Sequence, residues 1–131
     1  MKASTLVRIG AFVLISSLVA GCASTPALTN AAPAITFQHP IAQVQKAAVL
    51  ALVEDGFNIK KQEPTYVEGK RPHEVGFFVG SGGETVGVWL TARGTNTTDV
   101  RVDTAKSFVG HLGQKDWDSN ILMKMRQNLA E

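Results

Sequence analysis

The sequence predicts an α+β fold: a two-layer sandwich in which two helices cover one face of an antiparallel sheet of about four strands, in the order α-β-β-β-β-α. Three features carry this. Apolar residues recur at helical spacing from Ile41 to Val53. Two consecutive segments between Glu84 and Thr104 alternate apolar and polar residues around a turn. A second helical stripe runs from Trp117 to Leu129.

Ahead of these elements the chain opens with Lys2 and Arg8. An apolar run follows, Ile9 to Ala20, broken only by Gly10, Ser16 and Ser17. It closes on the small residues Ala20 and Gly21 before Cys22. A positive start, a short apolar core and a small-residue exit make a secretory signal peptide. The run falls short of the ~20 apolar residues that a transmembrane helix needs. Cys22 is the single cysteine of the chain, so an exported form has no disulfide partner for it. A small buried hydrophobe is one use for such a residue.

A second use is indicated by Leu18-Val19-Ala20-Gly21-Cys22, which resembles the lipobox of bacterial lipoproteins, with Val19 where that family most often has Leu. The resemblance implies cleavage before Cys22, a diacylglyceryl group on its thiol and a further fatty acid such as palmitate on its new amino group. Two or more acyl chains anchor stably where one does not. Ala23 stands where an Asp would retain such a protein at the inner membrane. The implied location is therefore the cell outer membrane, facing the periplasm.

Three regions are expected: a cleaved signal at 1–21, the lipidated Cys22 with a tether over 22–36, and one α+β domain over 37–131. The tether is assigned to a stretch with no charge, with Pro26 and Pro33 and no amphipathic pattern. Lys2 and Arg8 leave with the signal and no acid does, which removes the whole net charge of +2. A balanced domain argues against nucleic acid as a partner and against a polybasic grip on anionic lipid. Its apolar content suffices for a packed core.

The first helix is expected from Pro40 to about Asp55. Pro40 suits the first helical position. Ile41, Val44, Ala48 and Leu52 form the stripe, Val49 and Val53 widen it, and Gly56 is placed to end it in the left-handed conformation. Phe57 and Ile59 then alternate with Asn58 and Lys60 up to a break at Glu63-Pro64. Thr65 to Lys70 is a second short strand, with Val67 on one face and Tyr66, Glu68 and Lys70 on the other.

Glu84 to Arg93 is the clearest strand. Val86, Val88 and Leu90 lie on one face, Thr85, Trp89 and Thr91 on the other. After the turn Gly94-Thr95-Asn96-Thr97, the segment Asp99 to Thr104 returns with Val100 and Val102 inward and Asp99, Arg101 and Asp103 outward. Residues 74–83 read equally as a strand or as an apolar loop with a Gly-rich turn, and 107–115 as a connection. The last helix starts near Trp117, capped by Asp116 or Asp118. Trp117, Ile121, Met125 and Leu129 lie four apart, and Lys124 and Arg126 sit in its second half, where the dipole favours cations. The expected core is Val44, Ala48, Leu52, Ile59, Val67, Val86, Val88, Leu90, Val100, Val102, Ile121 and Met125.

This element order loosely resembles the helix-grip modules of outer-membrane assembly lipoproteins of the BamC kind, across residues 37–130. What the resemblance implies is an accessory role in the assembly of other envelope proteins.

No constellation of catalytic residues stands out. Gly80 to Gly83 lacks the Lys-Ser/Thr of a P-loop. His39, His73 and His111 are scattered without ligand spacing, and no second Cys joins them. Ser81, His73 and Asp99 lack a nucleophile elbow. No enzymatic activity, no cofactor and no metal are expected. The remaining candidate is the outer face of the sheet, where Tyr66, Trp89, Arg93 and Arg101 mix with Glu68, Lys70 and Asp103. Aromatic and arginine side chains are what interface hot spots are made of, while ordinary cross-strand pairs, or cover from Phe77 and Phe78, would give the same pattern. The expectation is an envelope protein partner bound on that face. A small ligand or glycan, bound there or at the Gly-rich loop, is the alternative.

Overall fold

The structure is a computed structural model that describes residues 32–72, 83–105 and 115–130. The elements run β1 (Ile35–Phe37), α1 (Ile41–Glu54), β2 (Asn58–Glu63), β3 (Tyr66–Lys70), β4 (Thr85–Gly94), β5 (Thr97–Ala105) and α2 (Asp118–Leu129). The strands form one five-stranded antiparallel sheet, ordered β1-β5-β4-β3-β2. Both helices pack on one of its faces and against each other. The fold is the two-layer α+β sandwich read from the sequence, with one strand more.

The extra strand is β1, and it takes Ile35 and Thr36 out of the expected tether. It was invisible because it is three residues long and follows a Pro-containing polar stretch. Only β5 makes it a strand, through Ile35↔Val100 and Phe37↔Thr98. The same register carried two residues back would set Pro33 opposite Val102. Proline has no N–H to donate there, which accounts for the strand's beginning no earlier than Ile35.

β1 lies at one edge and β2 at the other. Helix α1, about 21 Å long at 1.5 Å per residue, carries the chain across a sheet about 19 Å wide at ~4.8 Å per strand spacing. Pro40 sits one position earlier than expected, as the N-cap, and its carbonyl accepts the N–H groups of Gln43 and Val44. Gly56, at φ 83°, ends the helix as the sequence indicated. Gly56 N–H donates to Val53 O at 3.0 Å and Phe57 N–H to Leu52 O at 2.9 Å, a Schellman pair that turns Phe57 into the core.

The inner face of the sheet presents Val67, Val86, Val88, Leu90, Val100 and Val102 to α1 and α2. With Val44, Ala48, Leu52, Ile121 and Met125 they form one cluster. Phe37, Ala47, Ala51, Phe57 and Trp117, none of them in the expected core, join it, whereas Ile59 on the edge strand β2 is only partly buried. Lys124 Nζ meets Asp55 Oδ1 at 2.7 Å and ties the two helices together.

Trp117, not an aspartate, is the N-cap of α2, and no side chain caps it. Asp116 Oδ1 instead accepts the N–H of Asp118, the first helical residue, at 3.0 Å. Thr104 Oγ1 donates to Asp118 Oδ1 at 2.6 Å and accepts the Trp117 N–H at 3.1 Å, pinning the helix start to β5. Burial, only partly offset by that bond, pushes the Asp118 carboxyl above its ordinary pKa. Trp117 itself meets Phe57 edge-on at 5.4 Å, with Arg71 at 4.7 Å and Lys115 at 4.4 Å from its ring. The undecided stretch at 74–83 and the connection at 107–115 lie outside the described residues, apart from Gly83 and Lys115.

Candidate functional site: the outer face of the sheet

No helix among the described residues covers the second face of the sheet. Side chains alternate along each strand, and residues paired directly across a ladder share a face. The pairings Glu63↔Tyr66, Tyr66↔Trp89 and Trp89↔Arg101 therefore make one row across four strands on that outer face. Lys61, Glu68, Gly87 and Asp103 make the next row. On the other side of the first, Thr91 and Asp99 pair, and Asp99 pairs with Thr36 of β1.

Three of the four expected residues, Tyr66, Trp89 and Arg101, thus come together in one row. The fourth, Arg93, is set apart. It is the extra residue where the β4–β5 register shifts between Ala92 and Gly94, it is 63 % exposed, and its Nε donates to Asp99 Oδ2 at 2.6 Å. Asp99 also accepts the Thr36 hydroxyl at 2.7 Å. The Thr36 bond first, and then Arg93, hold the Asp99 carboxyl below the usual carboxylate range.

The centre of the face is an aromatic pair. The Tyr66 and Trp89 rings lie 5.1 Å apart and are inclined at 46°. Tyr66 Oη donates to Glu68 Oε2 at 2.7 Å. Burial, then that bond, raise the phenol far above its ordinary pKa, so at neutral pH it is a hydrogen-bond donor and not a phenolate. Tyr66 and Glu68 lie on the outer face as the alternation indicates, yet both are buried, at 9 % exposure. Trp89 remains half-buried. Phe77 and Phe78, the candidate cover for its ring, lie outside the described residues.

What the face offers is recognition chemistry: a broad apolar ring, a guanidinium at Arg101, and carboxylates held in fixed orientations. Beside it, a cleft of about 570 Å³ runs along the end of β4. No cluster of three or more metal-ligating side chains occurs among the described residues, nor any helix long and apolar enough to cross a membrane. His39 Nδ1 lies 3.3 Å from Gln43 Oε1 on α1. His73, His111, Ser81 and Cys22 lie outside the described residues, as does the Gly80 to Gly83 run except for Gly83. The feature that sequence reasoning missed is Gly87. It stands between Glu68 and Asp103 in the pairing, and a glycine between Val86 and Val88 in mid-strand is the signal available in the sequence. Neither a scan against protein-family models nor a search of curated proteins finds a match to this chain, so the reading of the site rests on its geometry.

Proposed function

We propose that this chain is a lipid-anchored envelope protein, held through acylated Cys22 at the outer membrane and facing the periplasm. Its role is to bind another envelope protein, or to assist its assembly, through the outer face of the sheet. The observation that carries the reading is the half-buried Trp89 at the centre of the face that no described helix covers, in one row with Tyr66 and Arg101. Tryptophan, tyrosine and arginine dominate interface hot spots because each combines a large apolar area with a directional polar group. The aromatic, guanidinium and carboxylate groups that the described residues bring to this face support a reading of binding without turnover.

A second reading is favoured by the cleft that borders Trp89 and Arg101. A small ligand or glycan could stack on the indole and hydrogen-bond the guanidinium. The two separate in one experiment. Parent and Trp89→Ala proteins are recovered from solubilised membranes, and what comes with them is compared. A stoichiometric protein that accompanies the parent and is depleted with Trp89→Ala, by about 2 kcal/mol of affinity or more, supports the first reading. Saccharide without protein supports the second. A Trp89→Ala variant that melts like the parent and recovers every companion equally removes the sheet face from consideration.

A further inference from the structure

β3 stops before β4 does. Tyr66 faces Trp89 at the last pair of their ladder, and the chain turns away through Pro64 and Thr65, whose carbonyl accepts the Leu90 N–H at 2.9 Å. β4 continues to Gly94. Thr91 and Ala92 therefore have β5 on one side and no strand among the described residues on the other.

The direction of the backbone groups follows. Both groups of a residue in an antiparallel strand point to the same side, and sides alternate along the strand. Leu90 directs its N–H toward β3, so Ala92, two residues on, directs its N–H and C=O the same way, into the space where β3 is missing. That space is the cleft of about 570 Å³, bordered by Ile41, Thr65, Trp89, Ala92, Arg93 and Arg101. Ala92 is exposed.

The walls differ in chemistry. Ala92 belongs to the inner face with Leu90, beside the partly buried Ile41. On the outer side stand Trp89 and the two arginines. Arg93 has Asp99 as its partner, whereas Arg101 has no carboxylate within ion-pair distance among the described residues.

We propose that this cleft takes an extended segment of a partner polypeptide as an added strand beside β4, with an apolar residue opposite Ala92 and acidic residues on either side of it. Backbone groups that face a cleft are matched best by another backbone. Alternation sends the residue opposite Ala92 toward Ile41 and its neighbours to the outer face, where the Arg101 guanidinium selects for a carboxylate. The bulge at Arg93 keeps the ladder short, so side chains supply most of the selectivity. The proposal rests on the reading of the outer face as a protein-binding surface, and it names the form of the bound partner.

The test uses the full chain in detergent micelles and a short, capped peptide of alternating glutamate and valine. A second peptide carries N-methyl groups on the valines, which keeps charge and apolar character but blocks the ladder. The expected result is binding of the first peptide with protection of the Ala92 amide, and loss of binding by the second. Ala92→Pro removes the N–H facing the cleft while fixing φ at that position, and should weaken binding by up to about tenfold. Arg101→Glu should weaken it as well, and serves should Ala92→Pro fail to fold. Equal binding of the N-methylated peptide, full affinity in both variants, or no binding of the first peptide overturns the proposal. The peptide experiment contains no membrane component. Its failure alongside Trp89-dependent recovery of a protein removes the added strand only, and its success without such recovery removes only the envelope-partner reading.

Discussion

The indole of Trp89 lies over Gly87, two residues earlier on the same strand: a Cβ at Gly87 would stand 2.6 Å from the far edge of that ring and 3.1 Å from the Tyr66 hydroxyl. The aromatic pair is therefore seated on bare backbone. Its position depends on a residue that contributes no side chain, and the orientation of the exposed part of Trp89 is set by local geometry before any partner arrives.

Gly87→Ala should displace the Trp89 ring without unfolding the domain. The tilted Tyr66–Trp89 pair contributes about 0.5–1.5 kcal/mol beyond its burial, and alanine recovers about 0.5–1 kcal/mol over glycine inside a strand. The net loss should be about 1 kcal/mol or less, while the indole N–H resonance of Trp89 shifts and partner recovery falls. An unmoved indole resonance with unchanged binding would show that the seat on Gly87 does not position the ring.

Leu52→Ala should cost about 2–5 kcal/mol in urea unfolding, because Leu52 is fully buried between helix and sheet. Val53, its neighbour, is 54 % exposed, and Val53→Ala should stay within about 0.5 kcal/mol of the parent. Similar midpoints for the two variants would contradict the assignment of α1's buried face.

The Asp99 carboxyl should titrate below the usual range, and Thr36→Val should move it up. The Thr36 hydrogen bond is the largest single cause of the depression, and Arg93 adds both a hydrogen bond and its charge, so Arg93→Ala should also move it up. A native pKa lowered in this way adds stability that is fully present above the unfolded value of about 3.9 and is lost as pH falls through the native value. Carbon-detected titration of the side chain in the three proteins gives the comparison. Identical curves would mean that Thr36 does not hold Asp99.

Cys22→Ser should abolish lipidation, since the thiol takes the diacylglyceryl group and the acylated amino group is exposed only by the cleavage that follows. Cells fed a clickable fatty acid should label the parent and not the variant, and the variant should leave the membrane fraction. A serine form that still labels and still floats with membranes would refute the anchoring proposal.

What the sequence determined by itself is whatever a few neighbouring residues decide. Val86, Val88 and Leu90 against Trp89 assign the faces of β4, because side chains alternate along any strand. Ile41 through Leu52 and Ile121 through Met125 assign the helices' buried sides, and Gly56 fixes the first helix end. Those local periodicities made the two layers and most of the core legible, and put Tyr66, Trp89 and Arg101 on one face. The tertiary structure decided everything that needs a register. β1 exists only through its pairing with β5. Tyr66 and Glu68 are buried on an outward face because Trp89, paired with Tyr66, leans over Gly87. The open stretch of β4 at Thr91 and Ala92 exists because β3 turns back at Thr65 while β4 continues. Pairing joins residues far apart in the chain, and its free energy depends on which segments meet, information that no short window of sequence contains.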